Sequence, residues 1–110
     1  MMLYITRHGQ PRSKDGAGES NPDYPPGDPP LSVLGREQAR RLGRHLKAMG
    51  FAGRIYASPY LRTIETAHVI AAELDMVVWP EPAIREYTGP NIGNFRGFTL
   101  EELRRRFPRI

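Results

Sequence analysis

Apolar positions in this chain fall into short runs and helical stripes that alternate. Leu3-Tyr4-Ile5 is an apolar run too short for a helix, and it leads straight into Arg7-His8-Gly9. It predicts a buried strand that presents an arginine and a histidine at its C-terminal end. Leu34, Ala39, Leu42, Leu46 and Met49 then recur at helical spacing, with Arg36, Glu37, Arg40, Arg41 and Arg44 on the other side. The pattern predicts a helix from Val33 to Met49, with Ser32 as its N-cap and Gly50 at C′. Gly53 to Ala57 reads as a second strand, ended by Ser58-Pro59. Leu61, Ile64, Ala67, His68, Ala71 and Leu74 make one face of a helix from Tyr60 to Leu74. Met76-Val77-Val78-Trp79 is a third strand, stopped by Pro80 and Pro82. Thr99 caps a short helix, Leu100 to Arg106, whose first turn carries Glu101 and Glu102, where the helix dipole favours acids.

Strand, helix, strand, helix, strand, helix is the order of an α/β domain with a largely parallel sheet. Right-handed crossovers between three strands in sheet order put both connecting helices on one face. The other face is then bare, whereas parallel sheets are normally covered on both. Either more chain or a second copy is expected to cover it. Between Gln10 and Ser32, prolines and glycines leave little room for regular structure. Residues 11–31 read as a loop, long enough to suggest a flap beside a functional site.

Composition narrows the class. At 110 residues, 39% hydrophobic and 25% charged, the chain is one globular domain. It has no cysteine, which excludes disulfides, thiolate metal sites and a cysteine nucleophile. No apolar run approaches membrane-spanning length, and Met1 to Ile5 is too short for a signal-peptide core, so the expectation is a soluble cytoplasmic protein with no membrane partner. The net charge of +4 owes much to Arg104, Arg105, Arg106 and Arg109. No aromatic residues interleave with them as a single-strand binding groove needs, so they read as a solvated helix face and not as a nucleic-acid site.

Three chemical groups follow the three strand ends: Arg7 and His8 the first, Arg62 the second, Glu86 the third. In a parallel sheet these ends point the same way, and ligands bind in the crevice outside them. The set suits phosphoryl transfer. A neutral imidazole attacks phosphorus, guanidinium forks pair with phosphate oxygens, and a carboxylic acid protonates the leaving oxygen. The start of the second helix adds backbone donors for an anion. No metal or other cofactor is implied, since the histidines are scattered and no acidic cluster accompanies them. His45 and His68 fall within helices and read as surface or packing residues.

Four blocks in order resemble the histidine phosphatase superfamily in its phosphoglycerate-mutase-like branch. They are Arg7-His8-Gly9; Leu31-Ser32-Val33-Leu34-Gly35-Arg36-Glu37-Gln38-Ala39; Tyr56-Ala57-Ser58-Pro59-Tyr60-Leu61-Arg62-Thr63-Ile64-Glu65-Thr66-Ala67; and Ile84-Arg85-Glu86 followed by Gly89 and Gly97. The resemblance implies a three-layer phosphoglycerate-mutase-like fold, truncated here after its first three strands, with residues 1–110 as the N-terminal part of the domain. It implies that His8 is phosphorylated in turnover, that Arg7 and Arg62 bind the phosphoryl group, with Gln10 and Ser58 as minor contacts, and that Glu86 is the proton donor. The family's second histidine, which follows a later strand, has no match. The expected activity is a phosphomonoesterase acting on a phosphorylated small molecule, weak or absent in these residues alone. The alternatives are a phosphoglycerate-mutase-type phosphotransferase, or a non-catalytic remnant whose homo-oligomer covers the bare sheet face.

Overall fold

Ser32 opens the first helix because its hydroxyl oxygen accepts the Gly35 N–H at 3.0 Å, the bond expected of an N-cap. Helix α1 runs Val33–Ala48. It ends where Gly50 takes φ +73°, with Gly50 N–H donating to the Lys47 carbonyl and Phe51 N–H to that of Leu46. This paired closure is a Schellman motif, and the glycine supplies the left-handed residue. Strand β1 (Ile55–Ala57), helix α2 (Leu61–Leu74), strand β2 (Val78–Pro80), a 3-10 turn (Pro82–Ile84) and helix α3 (Leu100–Arg106) follow. The computed structural model describes residues 2–12, 28–84 and 98–110. Glu86 and most of the loop 11–31 lie outside the described residues.

β1 and β2 pair in parallel, Ile55 with Val78, Tyr56 with Trp79 and Ala57 with Pro80. Pro80 is thus the last residue of its strand, where a stop before it was expected. Glu81 N–H, on the side facing β1, donates to the Ala57 carbonyl at 2.7 Å. Val78 N–H, on the far side, goes to the Arg109 carbonyl. Pro80 shares that far edge, where its missing N–H breaks no bond to β1.

The sheet face carrying Ala57 and Val78 meets Ile64, Ala67 and Ala71 of α2 and Leu103 of α3. All six are buried, and they form the core. α3 is held at its start by a complete capping box between Thr99 and Glu102, which draws Leu103 inward. α1 packs on α2 with Gly43 against Ile70 and Glu73; Ala39 is buried too, and Gly35 is buried against the Gln10 backbone. The predicted stripe is therefore rotated: Leu34 and Met49 stay half exposed, and residues without bulk make the contact. The reason is close approach. A Cβ on Gly43 would stand 3.2 Å from the Ile70 Cα and 3.0 Å from the Glu73 Cβ.

One expectation fails. Residues 2–7 form no strand and are exposed, Leu3 to 78% and Ile5 to 87%, so the sheet has two strands among the described residues. Tyr4 makes a ring contact, edge-on to Phe51 with centroids 5.9 Å apart. A central strand needs apolar cover on both faces. Here α1 spends its contact surface on α2, and the described residues supply no second layer. The expected bare sheet face is present: Tyr56 and Trp79, paired across β1 and β2, point away from the core and are about half exposed.

Candidate active site

Although residues 2–7 are unpaired, the chain directly after them is held tightly. Gly9 is buried against Gly35, where a Cβ on either residue would collide with the other segment's backbone. Only glycines permit that contact. Gly9 N–H donates to the Thr66 hydroxyl at 3.0 Å, and that hydroxyl donates to the Arg62 carbonyl at 2.7 Å. Gln10 N–H donates to Gln38 Oε1 at 2.9 Å, and the Gln10 carbonyl accepts Ser32 N–H at 2.9 Å. Pro11 and Leu31 then form an antiparallel bridge. The residues after His8 are thus clamped by α1, α2 and the segment before α1.

His8 is half-buried, with Nδ1 2.7 Å from the Gly9 carbonyl oxygen. A carbonyl only accepts, so Nδ1 carries the proton, and the neutral ring then has its lone pair on Nε2. Arg7 and His8 line one cleft, whose other wall includes Gln38 and Leu42 of α1 and Thr66 of α2. Arg62 lies one turn before Thr66. Its guanidinium stacks over the Tyr60 ring, 4.5 Å from the centroid. The structure therefore joins Arg7 and His8 in one cleft and ties the peptide after them to the turn bearing Arg62. Arg62, Gln10 and Ser58 are not part of that lining: the Arg62 guanidinium lies over Tyr60, the Gln10 amide oxygen accepts the Ser32 hydroxyl at 2.7 Å, and Ser58 is buried just past β1.

Two acids that were assigned no role in the sequence support this arrangement. Asp28 is fully buried, and its Oδ1 accepts Leu61 N–H at 2.7 Å, so a residue distant in sequence caps α2. Burial pushes its carboxyl up to about 6, against the opposing pull of the Leu61 N–H and the Arg62 charge. Glu65 accepts from Leu31 N–H and from Arg36 Nε, at 3.0 and 3.2 Å. Its carboxyl is raised by burial too, and the Arg36 charge opposes the shift. Gln38, Glu65 and Thr66 stood within the sequence blocks, where spacing alone shows no contact. Asp28 carried no signal beyond its place before Pro29-Pro30. His68, read as a surface or packing residue, meets the Phe107 ring at a tilt of 58° with centroids 5.2 Å apart, and burial followed by the Arg109 charge lowers its pKa. Among the described residues no group of three or more His, Asp or Glu could hold a metal ion, and no helix is long and apolar enough to cross a membrane.

A family model described as histidine phosphatase superfamily (branch 1) matches residues 3–110. Among solved structures, ecdysone phosphate phosphatase from Bombyx mori, in complex with tungstate, aligns with a TM-score of 0.72 at 20% identity over 90% of this chain and 50% of that one. A mycobacterial glucosyl-3-phosphoglycerate phosphatase aligns with a TM-score of 0.59 at 26% identity, covering 92% of this chain and 44% of that one. YhfR of Bacillus stearothermophilus gives 0.60 at 30% identity, covering 94% and 47%. The chain spans about half the length of these proteins. No curated protein matches it.

Proposed function

Since the chain belongs to the histidine phosphatase superfamily, branch 1, we propose that it carries the nucleophilic half of a phosphomonoesterase site, with His8 as the residue phosphorylated in turnover. The observation that carries this reading is the His8 ring itself. Its Nδ1–H is committed to the Gly9 carbonyl, which leaves the Nε2 lone pair for attack.

In the first step Nε2 attacks the phosphorus of a phosphate monoester. The N–P bond forms as the bond to the alcohol oxygen breaks, and Glu86 gives that oxygen its proton. In the second step water attacks the phosphohistidine, Glu86 takes a proton from it, and inorganic phosphate leaves. Arg7 and Arg62 carry the charge on the transferring group, the electrostatic work on which phosphoryl transfer mostly depends. The substrate is a phosphorylated small molecule, in keeping with the phosphatases named among the similar structures. One further observation favours a second reading. The exposed Tyr56–Trp79 face suits a module that packs as an oligomer and does no chemistry.

Exposure to a reactive phosphomonoester followed by an alkaline quench separates the two. The expected result is acid-labile, base-stable phosphate on His8, absent in His8→Ala, with slow release because part of the pocket is not supplied by these residues. A wild-type chain that takes up no phosphate on His8 establishes the non-catalytic reading instead.

A further inference from the structure

The peptide unit joining Gly9 to Gln10 carries a hydrogen bond at each end. Its carbonyl accepts His8 Nδ1–H at 2.7 Å, and its N–H donates to Gln38 Oε1 at 2.9 Å. A backbone N–H only donates, so Gln38 must present its amide oxygen there. One continuous chain therefore runs from the Gln38 oxygen through the Gln10 N–H and the Gly9 carbonyl to the imidazole. Hydrogen bonds that share a peptide polarise one another. An acceptor on the N–H makes the carbonyl a better acceptor, which tightens its hold on Nδ1–H and leaves more electron density on Nε2.

We propose that Gln38 is a positioning residue for His8: acting through the Gly9–Gln10 peptide, it holds the imidazole in its Nδ1–H form and keeps Nε2 unprotonated and ready to attack phosphorus. The proposal rests on the reading of His8 as nucleophile. The backbone itself has other anchors. Ser32 holds the Gln10 carbonyl and side-chain amide, and Thr66 holds Gly9 N–H. Gln38 is also an exposed position on α1, lining the same cleft as His8. Its particular contribution is to the one peptide that touches the imidazole.

The test compares Gln38→Met with Gln38→Glu in chains carrying 15N-labelled histidine. Methionine keeps a long unbranched side chain and good helix propensity but removes the acceptor. Glutamate keeps an oxygen in place. In the wild type, the His8 15N shifts are expected to show a protonated Nδ1 and an unprotonated Nε2, with His45 and His68 as internal references. In Q38M the His8 signals move towards a mixture of tautomers while the other two stay put. The rate of phosphate uptake on His8 falls by about 10- to 100-fold, the scale seen when a metal-bound histidine loses the outer partner that fixes its tautomer. In Q38E the His8 tautomer stays near wild type, whereas the rate is expected to fall because a carboxylate now lines the cleft that takes the phosphate, so this variant is read by its tautomer alone. An unchanged His8 tautomer in Q38M overturns the proposal, and so does a Q38E that loses it as fully as Q38M. The two readings fail separately. A wild type that takes up no phosphate defeats the functional reading, whereas an unmoved tautomer in Q38M defeats only the role of Gln38.

Discussion

Asp28 alone among the described acids is fully buried, and its ionisation couples the start of α2 to pH. Its Oδ1 accepts the Leu61 N–H, while Oδ2 is buried with no hydrogen-bond partner among the described residues. Removing that oxygen from water disfavours the charged form, which is why burial outweighs the helix N-terminus and Arg62. The carboxyl is raised from 3.8 to about 6, so between those values the folded chain binds more protons than the unfolded one. Its contribution to stability is complete below pH 4 and is lost as pH rises through about 6, a loss of roughly 2–3 kcal/mol. Urea unfolding at pH 4.5, 5.5 and 7 should show stability falling across this window. Asp28→Asn keeps an oxygen for Leu61 N–H and removes the titration, so the fall should shrink. The slope that remains is set by Glu65, raised for the same reason, against His68, whose lowered pKa adds stability as pH rises.

At the scale of elements, the contact between α1 and the segment after His8 depends on two glycines. Ala is the better helix former, and in an open helix Gly35→Ala would stabilise by about 1 kcal/mol. Here its Cβ would run into the Gln10 backbone, which is pinned by Ser32 and Gln38. Neither partner is a flexible side-chain end, so Gly35→Ala is expected to destabilise by about 1–3 kcal/mol and to move the His8 amide signals. Gly50→Ala is the comparison. It meets no atom within 4 Å but sits at φ +73°, and its cost of about 1 kcal/mol should leave His8 unmoved. Chemical denaturation with amide spectra on both variants checks the pair. Equal effects on His8 would refute the close-contact account.

At the scale of the whole molecule, the described residues give the sheet one covered face and one open face. α2 and α3 cover the side of the sheet bearing Ala57 and Val78, while Tyr56 and Trp79 face outward. Trp79 is the chain's single tryptophan, so it reports on that face directly. At low concentration its emission should be red-shifted and readily quenched by acrylamide, with the Arg54 guanidinium 5.0 Å from its ring centroid as its one described cation–π partner. Emission from a buried indole under those conditions would show that another surface covers the sheet.

Periodicity and cap chemistry placed α1, α2 and α3 to within a residue or so of their ends, since these depend on neighbours three and four positions apart. Arg7-His8-Gly9 and the block around Arg62 were equally legible, because residue type and order carry the family resemblance. What the amino-acid sequence could not decide was contact across the chain. That Leu3–Ile5 stays out of the sheet depends on whether other segments supply cover, not on its own apolar character. That Gln38 and Thr66 hold the peptides beside His8, and that Asp28 caps a helix 33 positions away, are matters of distance in space. The sequence alone determined the three helices, the two strands between them, and which side chains are candidates for phosphoryl chemistry. Only the tertiary structure shows the His8 ring nitrogen on the carbonyl of a peptide whose N–H is bonded to Gln38 of α1, because that contact joins segments 28 positions apart.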